Sequence, residues 1–545
     1  MLLEIFLTLI LFSILSAFLS GRWLKIVVGL SCIFMLSVLF PLLSLDFSSE
    51  YFIFDPLSRL YIFLLFSISP WILLYSLKYI ETNQNRFFSI IFIFIASMYG
   101  FVISNNIIFF FILWKLISVC SFLLISFDYR DPEAVRAGKK CFILTQVGEI
   151  FVLIALIFLA IESGTMVITQ ILRSALPFWS LFWPALFLML GALAKSSIFP
   201  FSWLPDAMKA PSPVSALLHS ATMVNAGLYV LFRFLPIIGF FWLFPFIIVI
   251  LSFFTLLCAC LNALGETNIK RILAYSTQAN LAIIFATLCL MTADAEAAGF
   301  FHLLNHAYFK AGLFLFIGII IHKSRKLHLQ HLRGSARHLG KMKYGLLFLI
   351  LAACSLPPSN GFLSKWAIYT EWLHVQPLGL ILLVFSSILT IAYYGRMVSV
   401  LFQEERAEGL EKTYTFSLSP FVILCLLFGV TTLGYTFFVK PIVHPVLALH
   451  SDLSLLLVLL SLFGLLLIFR SKVDPTGPFT GGEELSIRMP EIGMRTPQLD
   501  LDRFYGWFSC LNRIPETLSL LEYKLGRKWL QIILLLALLF FLILL

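Results

Sequence analysis

GALAKSSIFPFSWLPDAMKAPSPVSALLHSATMVNAG, residues 191–227, puts Lys195 inside an apolar run. Pro200, Pro205, Pro211 and Pro213 follow at once, and a second apolar run then carries His219. Proline has no amide proton and clashes with the preceding turn, so a helix cannot pass through this cluster intact. Breaking a helix at membrane depth frees backbone groups that have no water to bond. It is tolerated only where protein or a wet cavity covers the break. A membrane lysine beside a broken helix is therefore a candidate functional residue.

The rest of the chain is built for the same solvent. Of its 545 residues 60% are hydrophobic and 12% charged, with a mean hydropathy of +0.99. Soluble domains are about one quarter charged. Apolar runs near 20 residues recur from end to end, each long enough to cross a hydrocarbon layer of about 30 Å. This composition predicts an all-α polytopic membrane protein and excludes a soluble helical domain. About sixteen spans are expected. They lie near 3–20, 26–44, 58–77, 87–104, 107–127, 141–160, 181–209, 213–234, 239–265, 271–291, 299–321, 344–374, 379–402, 416–439, 451–470 and 529–545.

The spans at 181–209 and 344–374 are too long for one plain helix, and the second is interrupted at Leu356–Pro357–Pro358–Ser359–Asn360–Gly361. They stand five spans apart. Broken helices in matching positions predict an inverted repeat, spans four to eight against nine to thirteen. The match rests on the interruptions and the charges, not on one-letter identity. The expected division is N-terminal transmembrane helices over 1–86, a first repeat over 87–234, a second over 235–402 and further spans over 403–470. A cytoplasmic loop with an amphipathic lateral segment (471–528) and a final transmembrane helix (529–545) complete it. The start, MLLEIFLTLILFSILSAFLSGRW, carries Glu4 where a secretory signal would be basic, so a retained first helix is expected.

The net charge of +10 would point to nucleic acid in a soluble protein. Here the bases gather in alternate loops instead. One set holds Arg22 and Lys25, then Arg130, Arg136, Lys139 and Lys140, then Lys270 and Arg271, then Lys323, Arg325, Lys326, Arg333, Arg337, Lys341 and Lys343. The opposite loops carry Asp46, Glu50, Asp55, Asp294 and Glu296. This asymmetry places the basic set in the cytoplasm and the chain in the cell membrane, the inner or plasma membrane, with lipid rather than nucleic acid as its surroundings. The stretch LDRFYGWFSCLNRIPETLSLLEYKLGRKWL (501–530) mixes apolar and basic residues and suits a helix lying along the membrane surface.

Nine cysteines are scattered and contain no CxxC pair, which argues against a disulfide framework or an iron–sulfur site. A Walker A sequence and a Rossmann fingerprint are both absent. No cofactor is expected.

The ionisable residues inside apolar runs are Lys115, Glu149, Lys195, His219, His302, His306, Lys310 and Lys365. Each costs about 2.5–3.5 kcal/mol to place at a helix centre on insertion scales. The bland alternative for each is a snorkelling side chain or polar glue between helices. The functional reading is a proton relay. Burial disfavours the charged form of an amine and a nearby carboxylate restores it, so moving the carboxylate switches the amine between holding and releasing a proton. His302, His306 and Lys310 follow one helix face. Histidines four apart can hold zinc, but no carboxylate lies between these two and lysine is a poor third ligand, so no metal is expected.

Four stretches carry a family resemblance: ALAKSSIFPFSWLPDAMKAPSPVSALLHSATMVNAGLYV (192–230), TNIKRILAYSTQANL (267–281), FHLLNHAYFKAGLFL (301–315) and GFLSKW (361–366). The chain resembles the antiporter-like, proton-translocating membrane subunits shared by respiratory complex I, Mrp-type sodium/proton antiporters and membrane-bound hydrogenases. The resemblance covers roughly 60–400, and the long loop with the last helix resembles the lateral helix of the largest complex I subunit of this type. It implies two half-channels joined by a central hydrophilic axis. Lys195 matches the lysine on the first broken helix, His219 the histidine after it, and Lys270 the lysine of the IKR stretch. His302, His306 and Lys310 match the central group. Lys365 matches the lysine on the second broken helix, on the exit side.

One position departs. The family pattern at the fifth span is Trp–Glu, and here Trp114 is followed by Lys115 in LWKLISVCSFLLISF. The glutamate that partners the broken-helix lysine is absent. Glu149, in TQVGE, is a candidate to replace it, as is an acid from a neighbouring subunit. The leading expectation is a proton-translocating subunit of a multisubunit membrane complex. Its partners are other membrane subunits, the ion is the proton with sodium left open, and it has no redox or catalytic site of its own. An Mrp-like or hydrogenase-like relative is favoured over a standard complex I subunit. The alternatives are a subunit coupling proton flow to inorganic-carbon uptake, which a carbonic-anhydrase-like partner would mark, a structural subunit that no longer conducts, and an independent channel or permease.

Overall fold

The computed structural model describes residues 1–43, 45–403 and 412–430. The expected spans at 451–470 and 529–545 and the loop 471–528 lie outside the described residues. Within them the chain is almost wholly helical. The first part runs α1 (Leu2–Phe18), α2 (Gly21–Leu43), a small antiparallel hairpin β1 (Phe47–Ser48) and β2 (Ile53–Phe54), α3 (Pro56–Tyr79), α4 (Gln84–Ile103), α5 (Ile107–Ile125), α6 (Pro132–Ser163), α7 (Ile168–Arg173) and α8 (Phe178–Lys195). It continues with α9 (Ser212–Ser220), α10 (Met223–Arg233), α11 (Leu235–Ile238), α12 (Leu243–Gly265), α13 (Ile269–Leu288), α14 (Ala293–Ser324), α15 (Lys343–Ala353), α16 (Asn360–Val375), α17 (Pro377–Leu401) and α18 (Lys412–Val430). Among the described residues ten helical segments are long and apolar enough to cross a membrane.

Helix starts follow local chemistry. The side chains of Asp55, Asn106, Asp131, Asn268 and Thr292 accept from the first free amides of α3, α5, α6, α13 and α14. Pro56 and Pro132 supply the pre-set first turn. α4, α9, α10 and α14 are almost wholly buried and form the centre, with α14 packed against α9, α13, α15, α16 and α18. Outer helices turn Ile33, Phe40, Leu378 and Ile381 outward, which suits lipid.

The helix carrying Lys195 stops at that lysine, before the prolines. Ser197 takes a left-handed conformation (φ +58°), and the Ile198 amide donates back to the Leu193 carbonyl at 3.0 Å. A 3-10 turn at Asp206–Lys209 follows before α9 begins. The same backbone pattern recurs after α15, where Ser355 has φ +59° and the Leu356 amide donates to the Leu351 carbonyl at 2.9 Å. A second correspondence joins helix starts to later loops. The Ile107 amide donates to Met166 O at 3.0 Å and the Ile168 amide to Asn105 O at 2.7 Å. The Ile269 amide donates to Leu327 O at 3.0 Å and the Leu329 amide to Thr267 O at 2.9 Å.

The expected span at 213–234 is split between α9 and α10 at Ala221–Thr222. Side chains take over the carbonyls this frees: Thr222 Oγ1 donates to Leu217 O at 2.9 Å and Asn225 Nδ2 to Ser220 O at 2.6 Å. Ion pairs hold the ends of the bundle. Lys140 meets Asp206 at 2.6 Å, Arg271 meets Glu266 at 2.9 Å, and Lys209 pairs with Glu133. Near the opposite end Arg233 holds both carboxylate oxygens of Asp55 and also donates to Tyr229 and Ser58. Burial opposes ionisation of Asp55, but the Arg233 charge and the bonds from Ser58 outweigh it and keep the carboxyl below the usual aspartate range.

Candidate functional site: ionisable residues buried in the bundle

Glu149 is the one fully buried carboxylate among the described residues; Lys195, Lys270, Lys310 and Lys365 are buried cations. It sits midway along α6, where that helix crosses α8. Gly148 and Gly191 allow the crossing: a Cβ on Gly148 would stand 2.4 Å from the Ala194 Cβ, and one on Gly191 2.1 Å from Val152. Small residues let two backbones approach in this way.

The approach brings Glu149 Oε1 within 3.0 Å of Lys195 Nζ. Ser118, on α5, donates to the same oxygen and accepts from Lys195. Lys195 also donates to the Trp114 carbonyl at 3.1 Å and lies 4.4 Å above the Trp114 ring. The other oxygen, Oε2, accepts from Gln146 at 2.8 Å and meets Lys115 Nζ at 3.1 Å. Lys115 donates to Gln146 as well. Glu149 therefore pairs with both lysines, an inner one that is 1% exposed and an outer one that is 39% exposed. The lysine at position 115 does not leave Lys195 without a carboxylate.

The second group lies along α14. His302 shares hydrogen bonds with Asn280 and Ser364, both at 3.0 Å. Lys310 donates to Tyr394 OH at 3.1 Å and to the Leu273 carbonyl at 3.4 Å, and Tyr394 donates on to Ser276 at 3.1 Å. Asn360 donates to Asn305 at 3.1 Å. No carboxylate pairs with Lys310 or Lys365 among the described residues. His219 stacks on Phe314 with ring centroids 4.5 Å apart, and His306 meets Phe309 edge-on. Neither histidine has a hydrogen-bond partner among the described residues. Lys270 lies apart, at the start of α13, where it donates to the Ala210 carbonyl and fastens the segment leading into α9.

Sequence reasoning passed over Ser118, Gln146, Asn280, Ser364 and Tyr394, which bond the charged groups. Ser118 and Gln146 had a visible signal, since each stands three residues from a singled-out charge, one helical turn away. The described residues contain no cluster of metal-ligating side chains.

A helical bundle that buries lysines, histidines and one glutamate among apolar helices of membrane-spanning length defines a polytopic membrane protein of the antiporter-like fold class. The chain belongs to the NADH:quinone oxidoreductase/Mrp antiporter transmembrane family, which matches residues 104–390. Similar curated proteins include "Putative antiporter subunit mnhA2" of Staphylococcus epidermidis, 37% identical over 413 residues, and its namesake in Staphylococcus haemolyticus, 34% identical over 430 residues. These alignments cover 69% and 72% of this chain but 52% and 54% of the relatives, so the chain spans about half the length of the curated proteins it matches. Among solved structures, a chain of the Mrp complex from Dietzia sp. DQ12-45-1b superposes with a TM-score of 0.79 at 22% identity, covering 94% of this chain and 60% of that one. A chain of the membrane-bound sulfane sulfur reductase, an archaeal respiratory membrane complex, superposes with a TM-score of 0.73 at 21% identity, covering 81% and 97%. At these identities the likeness is one of fold.

Proposed function

We propose that this chain is a proton-translocating subunit of a multisubunit, Mrp-like complex in the inner or plasma membrane. The observation that carries the reading is Glu149 bonded to Lys195 on one oxygen and to Lys115 on the other. A carboxylate beside Lys195 favours its ammonium form. A shift of that carboxylate toward Lys115 withdraws the support and favours release of the proton. Released protons pass toward His219 and His306, each with one acceptor ring nitrogen that has no partner among the described residues, and then to Lys310, His302 and Lys365. Lys270 acts at the cytoplasmic end of the path.

The repeated backbone patterns at Ser197 and Ser355, and at the starts of α5 and α13, support two half-channels built on an inverted repeat. α6 and α14 are each 32 residues long, and Glu149 and Lys310 are both the eighteenth residue of their helix. The two halves thus hold an acid and a base at equivalent depth. The mnhA2 relatives are named antiporter subunits, which favours ion exchange over a purely structural role.

The test is proton flux in vesicles containing the complete complex, with and without a sodium gradient. Lys195→Ala should abolish flux while the complex still assembles. Unchanged flux would refute the relay. Loss of flux in Lys115→Glu would make Lys115 part of the mechanism rather than a tolerated departure. Flux that depends on the sodium gradient would identify the exchanged ion.

A further inference from the structure

Lys115 stands eight residues from one end of α5 and ten from the other, about 12 and 15 Å from them. That is mid-membrane, too deep for its stem to carry the ammonium to water. It is nevertheless 39% exposed on the outside of the chain. The surface around it is apolar, with Ile108 on α5 and Ile150 on α6 both exposed. Inward, Lys195 and Lys115 share the single carboxylate of Glu149, so whenever both amines hold a proton the cluster carries one positive charge more than it balances, and Lys115 brings it to the outer surface. Facing hydrocarbon, such a charge is costly. Facing a carboxylate, it is balanced.

Among the described residues Lys115 meets no carboxylate other than that of Glu149. The apolar runs at 451–470 and 529–545 contain one acid, Asp452, at the very start of the first. A second copy of the chain offers no exposed mid-helix acid among the described residues, because Glu149 is fully buried. We infer that the outer face of α5 and α6 around Lys115 docks a transmembrane helix of a different subunit, and that this helix presents an aspartate or glutamate to Lys115 at mid-membrane. The inference rests on the proposal that the chain works inside a complex. It extends the row of charges laterally, from Lys195 through Glu149 and Lys115 into the partner.

The test uses the intact complex in its own membrane, with a photo-reactive residue at Ile108 or Ile150, and with Ile381 on α17 as a distant control. Adducts from 108 and 150 should map to one helix of another subunit that carries a carboxylate near its centre. Lys115→Glu should cut their yield at least about tenfold, while Lys115→Arg keeps it. Reversing the partner's acid to lysine should restore the yield in Lys115→Glu. Adducts to lipid only, to a second copy of this chain or to a helix without an acid would overturn the inference, as would an unchanged yield in Lys115→Glu. No ion gradient enters these readouts, so they fail independently of the flux measurement.

Discussion

Glu149 has two oxygens and a lysine on each, and this makes its removal unlike the loss of an ordinary ion pair. Glu149→Gln leaves Lys195 buried with no carboxylate beside it and with Lys115 close by. Breaking a buried pair from one side costs about 3–5 kcal/mol, so the purified complex should unfold at a clearly lower temperature. Lys195→Met should recover part of that loss in the double variant, because it removes the orphaned charge. Non-additivity of the two substitutions in thermal unfolding is the measurement; simple additivity would mean the two groups are not coupled. Asp55 offers a second, pH-dependent outcome. Its carboxyl is held below the ordinary aspartate value by Arg233. Its contribution is therefore fully present above about pH 3.9 and is lost as pH falls through the lower, folded value. Asp55→Asn should cost about 2–3 kcal/mol at pH 7, less than a fully buried pair because Asp55 is partly exposed. It should also flatten the fall in stability below pH 4, followed by acid titration of the unfolding temperature.

At the scale of the helices, the distance between Lys195 and Glu149 is set by how closely α6 crosses α8. Gly148→Ala would put a methyl group 2.4 Å from the Ala194 Cβ. The helices must move apart to admit it, at a cost of about 1–3 kcal/mol, and the 3.0 Å ion pair should stretch with them. Flux should fall by more than stability alone explains. Gly29→Ala, in α2 with nothing within 4 Å of the added atom, is the control and should change neither. Much at this scale was legible. Apolar length located most of the helices, and α8 ends at Lys195, ahead of the prolines. The break between α9 and α10 was not legible, because Ala221 and Thr222 are not helix breakers. It exists because Thr222 and Asn225 bond the freed carbonyls across the turn. The small hairpin β1–β2 left no alternating pattern long enough to read. The pairing of Glu149 with Lys195 was readable only as one candidate among others, since a sequence does not state which turn of α6 faces α8. The glycines that decide it, Gly148 and Gly191, look like any others in an apolar run.

For the whole molecule the issue is charge balance between halves. Aligning α6 with α14 by their first residues puts Ala134 opposite Ala295, Ala137 opposite Ala298 and Gly138 opposite Gly299. These matches are too few to notice without the register, and the residues that matter most, Glu149 and Lys310, are opposite in sign. The first half buries an acid with its lysine. The second buries Lys310 and Lys365 without an acid among the described residues, leaving Lys310 to the Tyr394 hydroxyl and a backbone carbonyl. An apolar side chain of similar length should therefore suit the second site better than lysine does. Lys310→Met is expected to raise the stability of the complex by about 1–3 kcal/mol while abolishing proton flux. Lys195→Met should also abolish flux, but with no such gain, because it leaves Glu149 buried with one partner fewer. Thermal unfolding and vesicle flux measured on the same preparations separate the outcomes. A buried charge kept for function weakens the fold that holds it, and substituting it should trade activity for stability. If Lys310→Met instead destabilised the complex with flux intact, Lys310 would be packing glue rather than a station for protons.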